Sequence, residues 1–155
     1  MPATLSSDLQ QTKPFTSLAH ECFLNVLRTS NTLTDAMEDL FKGYGITGTQ
    51  YNVLRILRGA APDGICRNAL RDRMLSRMPD MTRLLDRMEE AGLVVRTRGS
   101  EDRRLVSTKI TDRALQLLAE LDKPVGELHE AQLGHLTEEQ LRSLIDLLTQ
   151  ARNTG

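Results

Sequence analysis

Between Gly99 and Arg104 the chain reads "GSEDRR", two carboxylates and two guanidiniums packed between the β-branched runs "LVVRTR" and "RLVSTKI". The guanidiniums of such a cluster can recognise anions. At the tip of a hairpin, an arginine can enter the minor groove of a duplex, where negative potential is strongest in narrow A·T tracts, and either Arg103 or Arg104 suits that place. Asp102 can pair with one guanidinium and fix the direction of its planar fork. Arg96 and Arg98, at alternate positions of the run before the tip, share a face from which to meet phosphate. A second polar set lies just upstream in "SRMPDMTRLLDRMEEAG". With this segment as a helix in a major groove, Arg83 can pair with guanine O6 and N7, Asp80 can accept from cytosine N4, and Thr82 can touch a base or a phosphate. Arg77 and Arg87 flank them.

These side chains need elements to hold them. Apolar residues at Leu18, Cys22, Val26, Leu33, Met37 and Leu40 fall at helical spacing, which predicts one long helix ending near "KGYG". Thr47 with Gln50 three residues on forms a capping box for a second helix that "GAAPDG" stops. "RNALRDRML" is a short amphipathic helix, followed by a helix over 79–91 with Pro79 in its first turn, Met81, Leu84, Leu85 and Met88 on its buried side and Gly92 at its C-terminal cap. The runs flanking the tip predict an antiparallel hairpin over 94–110. Thr111 then caps a long helix with Pro124 as a kink, and Thr137 with Gln140 starts a last one. The order predicts a mainly α chain with a small β-hairpin wing: a winged helix-turn-helix over 47–111, flanked by helical dimerisation regions over 16–46 and 112–155, with a poorly ordered segment over 1–15.

Composition narrows the function. The net charge of −1 hides an uneven distribution: residues 65–113 hold twelve Lys/Arg against eight Asp/Glu, while residues 114–155 hold three against seven. Local charge steers a protein toward phosphates, so the basic middle third points to double-stranded DNA despite the acidic total. Cys22 and Cys66 are too few and too far apart for a disulfide framework, the N-terminal segment has no cleavable apolar core, and no run approaches the ~18 apolar residues of a membrane span; a cytoplasmic protein with no membrane partner is expected. His129 and His135, with His20 remote, lack the spacing of a metal pair. No phosphate-binding glycine loop or nucleophile elbow is present, so neither a metal, a cofactor nor an enzyme is expected.

"TRLLDRMEEAGLVVR", then "DRR", then "KITDRALQLL" resembles, in that order, the recognition helix, Asp-x-Arg wing and fifth helix of the multiple antibiotic resistance regulators, the MarR family, and the similarity runs from Thr47 to about Leu118. The resemblance implies an obligate homodimer with interleaved terminal helices, a repressor on a pseudo-palindromic operator, often released by a small phenolic effector. By that match Asp102 and Arg104 take the paired wing positions, which makes Arg104 the first choice for minor-groove insertion. Ala114 departs from the glycine that many members carry.

The dimer also has a physical argument, because Phe23, Val26 and Leu27, with Leu136, Leu141, Leu144, Ile145 and Leu148, would leave broad apolar stripes exposed on a lone chain. For an effector, Phe41, Tyr44, Tyr51, His20 and Met37 fall where such a cleft would be. They read equally as core, and with aromatics at 3% and no Trp no ligand is assigned. Cys22 on the first helix's apolar stripe reads as inert packing, and Cys66, beside Arg67 and Arg71, as a helix N-terminal residue rather than a redox switch. The arginines Arg67, Arg71 and Arg73 read as a solvated face with one phosphate contact at most. A winged-helix module that docks proteins without specific DNA binding and a cysteine-based redox-sensing regulator are the alternative readings.

Overall fold

Thr47, Thr111 and Thr137 each cap a helix in the computed structural model, which describes residues 3–99 and 106–154. Thr47 and Thr137 do so as full capping boxes with Gln50 and Gln140. The element order is α1 (Leu5–Asp8), α2 (Leu18–Lys42), α3 (Gly48–Gly59), β1 (Ile65–Cys66), α4 (Arg67–Asp72), α5 (Met81–Glu90), β2 (Val94–Arg98), β3 (Val106–Ile110), α6 (Asp112–Leu133) and α7 (Glu138–Arg152). The expected winged helix-turn-helix is present: α4 and α5 precede a hairpin in which Val94 pairs with Ile110 and Arg98 with Val106.

The sheet has one strand more than the hairpin alone. Ile65 and Cys66 form β1, pairing antiparallel with Thr108 and Ser107 of β3, so the order is β1-β3-β2. Two residues are too few to show a strand's period of two. Gly64, at φ +77°, makes the entry: a Cβ there would stand 2.8 Å from Ser107 Oγ. Within the segment expected to be poorly ordered, Thr4 accepts the Ser7 N–H to cap α1, and Leu5 is buried. The helix α6 continues through Pro124.

One buried cluster joins the winged lobe to the end of α2 and the first half of α6. Val53, Leu54 and Leu57 of α3, Leu70 of α4, Met81, Leu85 and Met88 of α5, Leu93 and Val94, and Ala114, Leu118, Leu121 and Val125 of α6 meet Phe41 and Ile46 in a single buried cluster. The division expected between winged lobe and dimerisation helices therefore does not divide the packing: the first half of α6 is part of the lobe. One link reinforces this: Arg58 Nη1 of α3 donates to both carboxylate oxygens of Asp122 at 3.0 Å. At the far end of α6, Gln132 Nε2 donates to the Leu33 carbonyl of α2 at 3.1 Å. Among the described residues, no helix is long and apolar enough to cross a membrane.

Leu57 is fully buried whereas Leu75, in the turn between α4 and α5, is 85% exposed. Leu57→Ala is expected to lower the unfolding free energy by about 2–5 kcal/mol, and Leu75→Ala to change it by less than ~0.5 kcal/mol. Urea titrations of both variants check this; equal midpoints would displace the assigned core.

Candidate nucleic-acid interface

The helix α5 has two faces set by its sequence. Met81, Leu85 and Met88 are buried and Leu84 half-buried, so Thr82, Arg83, Asp86, Arg87, Glu89 and Glu90 are left to solvent. Its start differs from the expected 79–91. Asp80 Oδ1 accepts the Arg83 N–H at 3.0 Å as the N-cap, which leaves Pro79 outside and begins the helix at Met81. Asp80 thus has a structural role at this end, with its Oδ1 engaged by the backbone. At the other end Gly92, at φ +74°, reverses the chain, with Gly92 N–H donating to Glu89 O at 3.0 Å and Leu93 N–H to Met88 O at 2.9 Å. This Schellman closure turns the backbone directly into β2.

Arg96 departs from the role expected of it. Its guanidinium Nη2 donates to Asp86 and, at 3.0 Å, to Glu89 Oε1, while its backbone N–H donates to Glu89 Oε2 at 3.0 Å. The side chain is 23% exposed and spans from the wing strand β2 to the solvent side of α5. The Arg96 guanidinium is thus engaged by two carboxylates and ties β2 to α5. The side-chain and then the backbone hydrogen bond from Arg96 hold the Glu89 carboxyl below its ordinary range, and the bond to Glu89 in turn raises the Arg96 pKa. Arg98, two residues on, is exposed.

The rest of the cationic surface falls into two groups. Arg77, Arg83, Arg87 and Arg98 are exposed and make no ion pair with any described residue. Arg67 Nη1 instead donates to Thr82 Oγ1 at 2.8 Å, joining α4 to α5. Both line a cleft of about 340 Å³ with Cys66, Asn68, Leu85, Arg96, Val106 and Thr108. Asp102, Arg103 and Arg104, the wing-tip residues, lie outside the described residues.

Sequence reasoning missed one support of this face. Asn52 on α3, 9% exposed, accepts the Leu75 N–H at 2.9 Å and so fixes the turn between α4 and α5. A polar residue within an apolar helical run was the only available sign.

Of the residues considered for an effector, Phe41 is core at 2% exposure and stacks on Tyr51 at 4.3 Å. Burial pushes the Tyr51 phenol above its ordinary pKa. Met37 and Tyr44 pack against the same core, and His20 lies edge-on to Phe15. Both cysteines are exposed, Cys22 against the expectation of packing, and Cys66 ends β1 and is the N-cap position of α4. No group of three His, Cys, Asp or Glu gathers to hold a metal among the described residues.

Comparison with known proteins agrees with this arrangement. A model of the MarR family matches residues 44–105, from the approach to α3 to the wing. The solved MarR transcription factor from Planctomyces limnophilus is 41% identical, with 88% of this chain and 99% of that one covered and a TM-score of 0.68. The chain belongs to the MarR family. Its members are transcriptional regulators, and this protein is one. The HTH-type transcriptional regulator FarR of Neisseria gonorrhoeae is 28% identical over 127 residues, 82% of this chain and 86% of that protein. A MarR variant from Escherichia coli, solved complexed with operator DNA, shares the fold at a TM-score of 0.77 and 24% identity, over 88% of this chain and 99% of that one.

The Arg96 cluster generates a pH prediction. Glu89 has a depressed folded-state pKa, so its contribution to stability is present above the unfolded value, near 4.5, and is lost as pH falls through the lower folded value. Arg96→Met is therefore expected to lower the thermal midpoint by a constant amount from about pH 8 to 5, with the gap to wild type closing below that range. A gap that stays constant to pH 3 would remove Glu89 from the stabilising role.

Proposed function

We propose that this MarR-family regulator is a cytoplasmic homodimer that binds a pseudo-palindromic DNA operator, with α5 in the major groove and the β2–β3 wing against the minor groove, and represses by occupying that site. The observation that carries the reading is the exposed arginine set unpaired with any described carboxylate: Arg83 and Arg87 on the polar side of α5, whose other face is locked in the core, with Arg77 just before that helix and Arg98 on β2. Each is placed to meet phosphate or a base edge once the N-terminal half of α5 enters the groove. Arg104 carries the wing contact in this proposal, and the operator-bound Escherichia coli relative supports the choice of duplex DNA as partner.

The dimer rests on a second observation. The fifteen-residue α7 has no buried residue in the single chain. Its Ile145 is 64% exposed, and on α2 Phe23 is 60% exposed, alongside exposed Val26, Leu27, Leu144 and Leu147, while Leu136, Leu141 and Leu148 are half-buried. Isolated helices of this length are marginal in water, so packing has to supply what propensity does not. A second copy that interleaves α2 and α7 covers the stripe, and its twofold axis sets two α5 helices roughly 34 Å apart, one turn of DNA.

Fluorescence anisotropy against the DNA upstream of its own gene and a scrambled duplex, over a salt series, tests the reading. Binding that prefers the first and weakens by orders of magnitude between about 50 and 200 mM salt is expected. Arg83→Ala should relax base preference at one position per half-site, and Arg104→Ala should cost about 1–3 kcal/mol. If selection from random DNA also yields no preferred duplex, the winged lobe serves a protein partner instead. For the dimer, Leu144→Asp should yield monomer or unfolded chain; a folded dimer at micromolar concentration in sedimentation would refute this interface.

A further inference from the structure

The C-terminal end of α5 is held by the first turn of α6. Arg113 Nη1 donates to the Ala91 carbonyl at 2.7 Å. The Thr111 hydroxyl donates to the Gly92 carbonyl at 2.8 Å and lies 3.2 Å from that of Leu93, to which the Thr111 N–H also donates at 3.2 Å. The same hydroxyl accepts the Ala114 N–H to cap α6. Three successive carbonyls at the exit of α5 therefore take their hydrogen bonds from two residues at the entry of α6. Gly92 suits the arrangement in two ways. Its φ of +74° makes the reversal, and a Cβ would stand 3.2 Å from Arg113 Nη1, so the missing side chain leaves room for the guanidinium. A cation at this place also complements the negative end of the α5 dipole.

What Arg113 holds matters more than the bond itself. Ala114 behind it is fully buried, and Leu118 and Leu121 continue α6 into the common core, so the first turn of α6 is fixed to the scaffold. α5 spans ten residues, about 15 Å. A tilt of ~10° about its C-terminal end would displace Thr82 and Arg83 by about 2–3 Å, most of one base-pair rise. The Arg96 cluster ties α5 sideways to β2, and Asn52 holds the turn before it. At its far end the side chains of Arg113 and Thr111 tie α5 and its exit to α6.

We infer that Arg113 is a positioning residue for DNA reading: by holding the C-terminal end of α5 on α6, it fixes the separation between the two reading helices and hence the half-site spacing the dimer accepts. The inference rests on the DNA-binding homodimer proposed above. Arg113 itself sits a helix length away from the groove-entering residues and gives its guanidinium to a carbonyl, so it adds no phosphate contact.

The test uses the full chain and the duplex that wild-type protein selects from random DNA, together with two versions whose half-sites are one base pair closer or farther apart. Wild type is expected to lose about tenfold or more on either change. Arg113→Ala should bind the best duplex about three- to tenfold more weakly, discriminate spacing by less than about threefold, and keep the wild-type salt slope. Arg113→Lys, which retains a donor of similar reach, should restore the spacing preference. Arg113 is exposed in a helical first turn, and a thermal midpoint for each variant verifies folding; Thr111→Val supplies an independent break of the same hold, with the same loosened spacing expected. An unchanged spacing penalty in folded Arg113→Ala and Thr111→Val would overturn the inference. So would a salt slope reduced by about one, which would make Arg113 a phosphate contact. Failure of wild type to select any duplex would overturn the DNA-binding reading and this inference with it, whereas selection by wild type with unaltered variants would overturn this inference alone.

Discussion

The geometry of the reading surface depends on the burial of three side chains. Met81, Leu85 and Met88 occupy one stripe of a ten-residue helix that is too short to persist by itself in water. Their insertion among Leu54, Leu57, Leu70 and Val94 decides where the helix lies and, since helical side chains have fixed bearings around the axis, which way Arg83 and Arg87 point. Burying a side chain of this size is worth about 1.5–3 kcal/mol, more than any single exposed ion pair on the opposite face. The polar face is therefore free to be chosen for recognition, because stability is settled on the other side.

Not every charge on that face serves recognition, and the difference lies in pairing. Residues 65–113 are basic in sum, but Arg96 joins two carboxylates, so the cluster it forms with Asp86 and Glu89 carries net negative charge. The remainder of the block is accordingly more basic than the total suggests. Asp80 likewise is spent on the α5 N-terminus, where a carboxylate satisfies a backbone donor and favours the dipole. Asp80, Asp86 and Glu89 act as fasteners that aim the element, while Arg77, Arg83, Arg87 and Arg98 pair with no described carboxylate.

How much of this could be read in the sequence follows from the range of each interaction. Thr47 with Gln50, Thr137 with Gln140, Thr111 and Gly92 act within a few residues of themselves, so their local patterns carried the helix ends correctly. The stripe of α5 was equally visible, since a period near 3.6 survives any tertiary context. Arg96 could not be assigned from its neighbours, because alternation on β2 shows which side of the strand it occupies but not that Asp86 and Glu89 of the preceding helix stand on that side. The two-residue β1 exists only through its pairing with β3, and Asn52 looks misplaced in α3 until Leu75 is seen to donate to it. The start of α5 turned on a local competition: proline suits a first turn, but an aspartate one residue later offers the side-chain acceptor, and the acceptor decides.

The long helix α6 joins the two ends of the problem. It covers twenty-two residues, about 33 Å, which is longer than the winged lobe needs. Its first half contributes Ala114, Leu118, Leu121 and Val125 to the core that seats α5, and its far end is tied to α2 where Gln132 donates to Leu33. A packed core transmits displacement instead of absorbing it. A displacement of α6 against the lobe would therefore be felt at α5, which packs on the same core. The buried cluster that seats α5 also holds Phe41 of α2 and the first half of α6, so the placement of the exposed arginines on α5 is tied to that of both helices.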